Sequence, residues 1–365
     1  MARSIAVHGQ TNWTSRLPCG NAFLCTLGEQ YATTKGKNRG KTRKETEKVN
    51  VRPAFIIDNS THRDESIYRN SFLQKICGVT NRAETQLEPM MLSDPTDRFP
   101  DRERCDVHYV RNMMQFFSLK LAKVSVNTRS VQLYGYIAVG ACLDSLLNYI
   151  VNRSRDDPIT VQQGSLIETT GPKRGITMTS PVLVEFDMRI RKGEEEDDLQ
   201  LIDVDITLAL IPVAVEATID VIISKVQSGF SLSMSSFVFA GGSHEGIELF
   251  CGIIGESCGL TRRYVIAVEM DSWMHLKFNV CQKGSKHDDL ECYCNFKADI
   301  HGCACRQIIL EHASISLKVT RSIVHEVVVF HIRTLLGLFG LALELYWDCV
   351  IHVHLALDGC LLTSC

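Results

Sequence analysis

The chain has 365 residues, 45% of them hydrophobic and 22% charged, which is enough to bury one large or two ordinary cores. Its formal net charge of −3 excludes a whole-molecule electrostatic binder of nucleic acid. The length excludes a small disulfide scaffold, and fifteen cysteines, an odd number, leave at least one thiol unpaired within the chain.

The first residues carry no apolar stretch of the kind a signal peptide needs, so the expectation is a protein that is not exported, cytoplasmic or nuclear, with mostly free thiols. On that reading the glycosylation triplets at Asn12, Asn59 and Asn152 carry no meaning. Residues 1–85 read as a disordered or irregular basic N-terminal region. Within it, residues 35–48 set seven basic side chains against two acidic ones with nothing apolar to bury. Such a segment has no hydrophobic gain to offset its ordering entropy. A nuclear address or a phosphate-binding arm is the functional reading of this run, and a solvated linker is the plainer one.

Residues 86–110 hold Pro89, Pro95 and Pro100 among many charges and read as a loop-like lead-in. In residues 110–123 the apolar positions Met113, Met114, Phe116, Phe117, Leu119 and Leu121 settle neither a helical nor a strand period. From Val131 the period becomes two. Val131, Leu133, Ile137 and Val139 share one face, with Gly135 between them. Residues 143–151 read as a short helix or turn, and Asp156-Asp157-Pro158 as a turn. Val182, Val184, Phe186, Met188 and Ile190 then alternate with Leu183, Glu185, Asp187, Arg189 and Arg191, a half-buried strand with a wet face.

The same alternation returns at Val213 to Ile223, at Phe230, Leu232 and Met234, at Tyr264 to Met270, at Leu276, Phe278 and Val280, and at Ile315, Leu317 and Val319. Gly241-Gly242, Gly255, Gly284-Ser285 and His301-Gly302 punctuate these runs. Many short strands with one polar face each predict an all-β domain over residues 86–320, an antiparallel β-sandwich or partly closed barrel. Val184, Phe186, Met188, Ile219, Val221, Phe278 and Leu317 are its expected core. Residues 321–365 form an appended apolar tail with helical potential. Its longest apolar run, 335–343, is far short of the roughly 18 residues a membrane helix needs, and no membrane span is expected.

Several stretches are similar to one family: Gln132-Leu-Tyr-Gly-Tyr-Ile-Ala-Val139, Leu147-Asn-Tyr-Ile-Val-Asn-Arg-Ser-Arg-Asp-Asp-Pro158, Thr170-Gly-Pro-Lys-Arg-Gly-Ile176, Pro181-Val-Leu-Val-Glu-Phe-Asp-Met-Arg-Ile190, Asp198-Leu-Gln-Leu-Ile-Asp203, Ala214-Val-Glu-Ala-Thr218 and Phe230-Ser-Leu-Ser. They resemble the grass-plant family of domain of unknown function 6598 over about residues 88–320. The resemblance implies a β-rich fold and brings no activity, cofactor or catalytic residue. Where the family has an Arg-Asp pair, Gly140 and Ala141 stand here. The family also leads one to expect a longer segment between Asp203 and Val204. Some relatives resemble fusions to a ribosome-inactivating glycosidase. That enzyme needs a Glu-Ala-x-x-Arg helix, whereas Glu216-Ala217 runs on into Thr218-Ile219-Asp220 in a strand pattern.

Candidate chemistry is sparse. Cys292, Cys294, Cys303 and Cys305 are zinc candidates, because residues two apart on a hairpin share a face. Their one-residue spacing is poor for zinc, and core or surface thiols are the plainer reading. The acidic run at 194–198, with Asp203, is of the type that holds calcium in lipid-binding β-sandwiches, but it lacks a ligand spacing and reads as a solvated turn. Lys173 and Arg174 lie in a tight glycine-flanked loop, a candidate anion-binding loop, with a simple strand connection as the plainer account. No nucleophile elbow or cysteine–histidine motif is present. The expected function is therefore a non-catalytic binding or interaction domain in stress or defence biology, without cofactor and with a protein as candidate partner. The alternative is a hydrolase or glycosidase-associated protein using carboxylates on a sheet face, such as Glu185, Asp187 and Glu216.

Overall fold

The computed structural model describes residues 12–18, 21–28, 50–58, 60–77, 79–82, 86–91, 110–124, 130–141, 144–178, 181–191, 202–256, 258–282, 289–299, 302–311, 313–320 and 330–331. In chain order its strands are β1 (Asn12–Pro18), β2 (Asn21–Gly28), β3 (Asn50–Ile57), β4 (Gln86–Pro89), β5 (Arg111–Val124), β6 (Ser130–Ala141), β7 (Asp144–Arg153), β8 (Ile159–Gln162), β9 (Ile176–Thr177) and β10 (Val182–Ile190). They continue with β11 (Ile202–Ser224), β12 (Phe230–Ala240), β13 (Ser243–Ile254), β14 (Leu260–Glu269), β15 (Trp273–Gln282), β16 (Asp289–Lys297), β17 (Cys303–Ile309), β18 (Ser314–Thr320) and β19 (Phe330–His331). A 3-10 turn at Ser66–Arg69 and helix α1 (Ser71–Cys77) stand between β3 and β4. No helix among the described residues is long and apolar enough to cross a membrane.

The strands form three sheets, antiparallel except where β4 runs parallel to β7. The first sheet orders β17-β18-β11-β5-β9, with β1 and β14 also on β11. The second orders β3-β2-β10-β6-β7-β4, with β8 on β6, and the third orders β13-β12-β15-β16-β19. None closes into a barrel among the described residues, so the sandwich alternative is the one realised.

Strand β11 joins the two cores. In its first half Ile202, Val204, Ile206, Leu208 and Leu210 face a core shared with the second sheet. In its second half Val215, Ala217, Ile219, Val221 and Ile223 face a core shared with the third sheet. The even-numbered apolar residues of the first half serve one core and the odd-numbered ones of the second half the other, each set following the two-residue period of a strand. Between the halves the register with β5 slips at Ile211/Ala214, and Val213 takes φ 49° and is exposed rather than buried as its alternation suggested.

All seven expected core residues, Val184, Phe186, Met188, Ile219, Val221, Phe278 and Leu317, are buried. Phe186 is completely so, and emptying such a site to alanine costs about 3–5 kcal/mol. The hairpin from β12 to β13 turns on Gly241 and Gly242, both at positive φ, which is the two-residue turn matched to strand twist.

Three expectations are corrected. For the expected short helix or turn at 143–151, residues 144–151 belong instead to strand β7, and residue 143 lies outside the described residues. Of residues 110–123, all from Arg111 on belong to strand β5, whose side chains divide between both cores, Met113 and Phe117 in one and Met114, Phe116, Leu119 and Leu121 in the other. A strand buried on both faces shows no alternation, which is why no period could be read there. The third concerns the first 85 residues. Their described part is not irregular: β1 pairs with β11, β2 pairs with β10, and the described residues within 58–79 cover the outer face of β10. The basic run 35–48 and the tail from residue 321 lie outside the described residues, apart from Phe330–His331, which pair with Cys292 and Glu291.

Candidate functional site

Strand β10 lies between β2 and β6, and its inner side chains pack on the first sheet. Its outer row, Leu183, Glu185, Asp187 and Arg189, was expected to be wet. Leu183 instead packs with Ala22, Leu24, Ile57, Ile67, Leu73 and Val79, so the 58–79 segment roofs this face. Glu185 and Asp187 are left 0% and 1% exposed, and burial of two carboxylates is tolerable only where partners meet them.

The partners come from residues 62–63 and from β6. His62 Nδ1 closes against Glu185 Oε1. Glu185 Oε2 accepts from the His62 backbone N–H at 3.1 Å and from the Tyr136 hydroxyl at 3.2 Å. Arg63 Nε donates to Asp187 Oδ2 at 2.6 Å, and Arg189 Nε donates to Asp187 Oδ1 at 3.3 Å. The Arg63 guanidinium also stands 5.4 Å above the Tyr136 ring, and Tyr68 meets the His62 ring edge-on at 5.4 Å. Burial, and next the Glu185 carboxylate, push the Tyr136 phenol far above the ordinary range. The same two causes, in that order, raise Tyr149 to about 12. The Tyr149 hydroxyl donates to the Leu87 carbonyl.

Beside this cluster opens a pocket of about 400 Å³ lined by Arg63, Arg153, Arg155 and Arg189, with Asn152 and Ser154. Gly135 shapes the wall between β6 and β10: it sits at φ +115°, and a Cβ there would come within 2.1 Å of the Asp187 carbonyl oxygen. The turn after β7 supplies two of the arginines. It is set by Ser154, whose carbonyl and hydroxyl oxygens both accept from the Asp157 N–H, as the Asp156-Asp157-Pro158 signal predicted. Arg153 reaches Asp157 at 2.9 Å and Glu168 at 3.3 Å.

Of the residues singled out in the sequence, Glu185 and Asp187 stand together, but inside the roofed cluster. Glu216 lies on β11 in another sheet, where its Oε2 accepts from the Gly175 N–H at 2.7 Å. In the Lys173–Arg174 loop the Lys173 backbone N–H donates to Asn148 Oδ1 at 2.9 Å and Arg174 Nε donates to the Met91 carbonyl at 2.7 Å, while Lys173 itself is exposed.

Cys292 and Cys294 face the core from β16, while Cys303 and Cys305 are exposed on β17 in a different sheet. Among the described residues no three His, Cys, Asp or Glu side chains are grouped to hold a metal. The acidic run 194–198 lies outside the described residues, and Asp203 is a strand residue opposite Lys123. Sequence reasoning missed the arginine pocket and the role of His62 and Arg63. The available signal was the pair Glu185-x-Asp187, two acceptors on one strand face that suit the donors of His62 and Arg63.

Stacked antiparallel sheets without closure define a β-sandwich-like module. Within that class the chain belongs to the family DUF6598, a domain of unknown function, matched over residues 113–204 and 202–319. The two matched stretches meet at 202–204, where β11 runs through without interruption. No curated protein matches the chain. Among solved structures it is similar to a chain described as the C2A and C2B domains of Extended-Synaptotagmin 2. That likeness is at 9% identity and a TM-score of 0.17, covers 66% of this chain and 99% of that one, and carries no argument.

Proposed function

We propose that this is a plant protein whose β domain is a non-catalytic binding module. The observation that carries the reading is the use made of Glu185 and Asp187. These are two of the three acids a sheet-face hydrolase would employ, and both are closed to solvent and engaged by His62, Tyr136, Arg63 and Arg189. A general acid or base must come within hydrogen-bond reach of substrate, which side chains roofed by residues 58–79 do not. The third acid, Glu216, is bonded to the Gly175 amide on another sheet. In this reading the acids fix the roof segment to the sheet, and the neighbouring pocket is where a ligand enters.

The experiment is a turnover assay of the purified full chain, covering adenine release from ribosomes and hydrolysis of glycoside, ester and phosphate-ester substrates. The expected result is no turnover above the buffer rate. Turnover by the native chain that disappears in Glu185→Gln or Asp187→Asn, with the circular dichroism of the variants unchanged, overturns the reading.

A further inference from the structure

We propose that the arginine-lined pocket beside β10 is a binding site for a small phosphate-bearing anion, an inference that rests on the reading of this domain as a binding module. Four arginines arrive from three separate stretches of chain: Arg63 from the turn before Ser66–Arg69, Arg153 and Arg155 from the end of β7 and its turn, and Arg189 from β10. No acidic side chain lines the pocket. Four permanently charged groups around one concavity repel one another, and the repulsion is relieved by anions.

Asp187, Asp157 and Glu168, which touch Arg63, Arg153 and Arg189, stand outside the lining. Asp187 is buried and holds Arg63 and Arg189 from behind. Asp157 and Glu168 hold Arg153, and their side chains are 77% and 48% exposed, where water and salt weaken the hold. Arg63 and Arg189 each meet Asp187 through Nε, one part of a planar fork that carries further donors on Nη1 and Nη2. Arg153 Nε is buried and has no hydrogen-bond partner among the described residues.

The chemistry of the lining selects the ligand. A carboxylate presents two oxygens in a plane and suits one guanidinium fork. A phosphate monoester presents three terminal oxygens and up to two charges, and suits forks that converge from different directions. Asn152 and Ser154 add groups able to donate to a remaining oxygen. A volume of about 400 Å³ lies at the small end of pockets that hold small molecules. It admits a phosphorylated metabolite or a single lipid headgroup.

The test titrates inorganic pyrophosphate into the full chain by calorimetry, beside Arg155→Gln and Asn152→Asp. Arg155 lies in a surface turn, and Asn152 is exposed, so both variants should fold, which circular dichroism checks. Asn152→Asp places a carboxylate in the lining without removing an arginine. The expected result is saturable binding that weakens with added salt and falls about tenfold in either variant. Sedimentation with phosphatidylcholine vesicles containing phosphatidic acid separates the sources. Vesicle binding competed by pyrophosphate identifies a lipid headgroup, and pyrophosphate binding without vesicle binding identifies a soluble ester; both support the site. Absence of saturable pyrophosphate binding by the folded native chain, or equal binding by folded variants, overturns it while leaving the non-catalytic reading intact. Release of orthophosphate from bound pyrophosphate would overturn the non-catalytic reading and leave the site standing.

Discussion

His62 and Glu185 lie 123 positions apart and meet in a fully buried contact, the His62 backbone N–H donating to Glu185 Oε2 at 3.1 Å while its ring closes on Oε1. The pair ties the segment before α1 to the middle of β10. Removing the carboxylate strands the His62 amide and the Tyr136 hydroxyl together, and a buried polar partner left alone is far more damaging than a pair exchanged for apolar groups. Glu185→Ala should lower unfolding free energy by about 3 kcal/mol or more, with Glu185→Gln distinctly milder because an amide oxygen still accepts. Urea denaturation measures both. A Glu185→Ala change below about 0.5 kcal/mol would show that the roof does not depend on this contact.

The same contact explains what the sequence concealed. Alternation along β10 correctly assigns Val184, Phe186 and Met188 to a core, because that face needs only apolar residues. It misassigns Glu185 and Asp187, because polarity reports the chemistry of a face and not what covers it. The cover comes from the described residues within 58–79, more than a hundred positions away, and the acids of β10 do not say which segment meets them. Strands β5 and β7 failed for a related reason: with both faces buried, neither has a solvent side to set a period. Where one face does meet solvent, as at β12 and β15, the reading and the structure agree. The arginine pocket was the hardest to see, since Arg153 and Arg189 each look like ordinary wet-face residues until the fold sets them side by side.

Alkaline pH should loosen the fold before it ionises the buried tyrosines. Burial raises Tyr149 and Tyr264 from the ordinary 10.0 to about 12, and raises Tyr136 beyond them. For a phenol whose folded pKa is raised, the folded state keeps the proton longer than the unfolded one. The stabilisation is complete below the unfolded value and is lost as pH climbs from about 10 toward the folded value. Unfolding free energy should therefore fall between about pH 10 and 12, and Tyr149→Phe should flatten that slope. Phenolate absorbance followed against far-ultraviolet circular dichroism checks this. Full phenolate titration near pH 10, with the β signal intact, would contradict it.

Thiol labelling should separate the described cysteines by burial. Cys25, Cys292 and Cys294 are buried, and burial raises all three thiols, Cys294 to about 12. Cys251, Cys258, Cys303 and Cys305 are exposed. Alkylation needs an accessible thiolate. Peptide mapping after brief iodoacetamide treatment at neutral pH should find the exposed four modified and the buried three protected until denaturant is added. Early modification of Cys292 or Cys294 would mean that the face of β16 turned to the core is open.

Gly135 couples the sheet to the pocket, and its replacement should damage both. At φ +115° any side chain is strained, and a Cβ would stand 2.1 Å from the Asp187 carbonyl oxygen, far inside contact distance. The obstacle is backbone of the central strand, so it cannot swing aside as a side-chain tip would. Relief requires β6 and β10 to part at the pair Gly135 and Met188, which are directly opposite in the register. Gly135→Ala should cost about 3 kcal/mol or more in urea denaturation. Because Gly135 also lines the arginine pocket, any folded fraction should bind pyrophosphate more weakly than the native chain. Gly164→Ala is the matched control, since Gly164 also has positive φ but nothing lies within 4 Å of an added Cβ. That change should cost only about 1 kcal/mol, from backbone strain alone. Equal effects at the two glycines would show that the strand contact at Gly135 is not tight and that φ by itself sets the penalty.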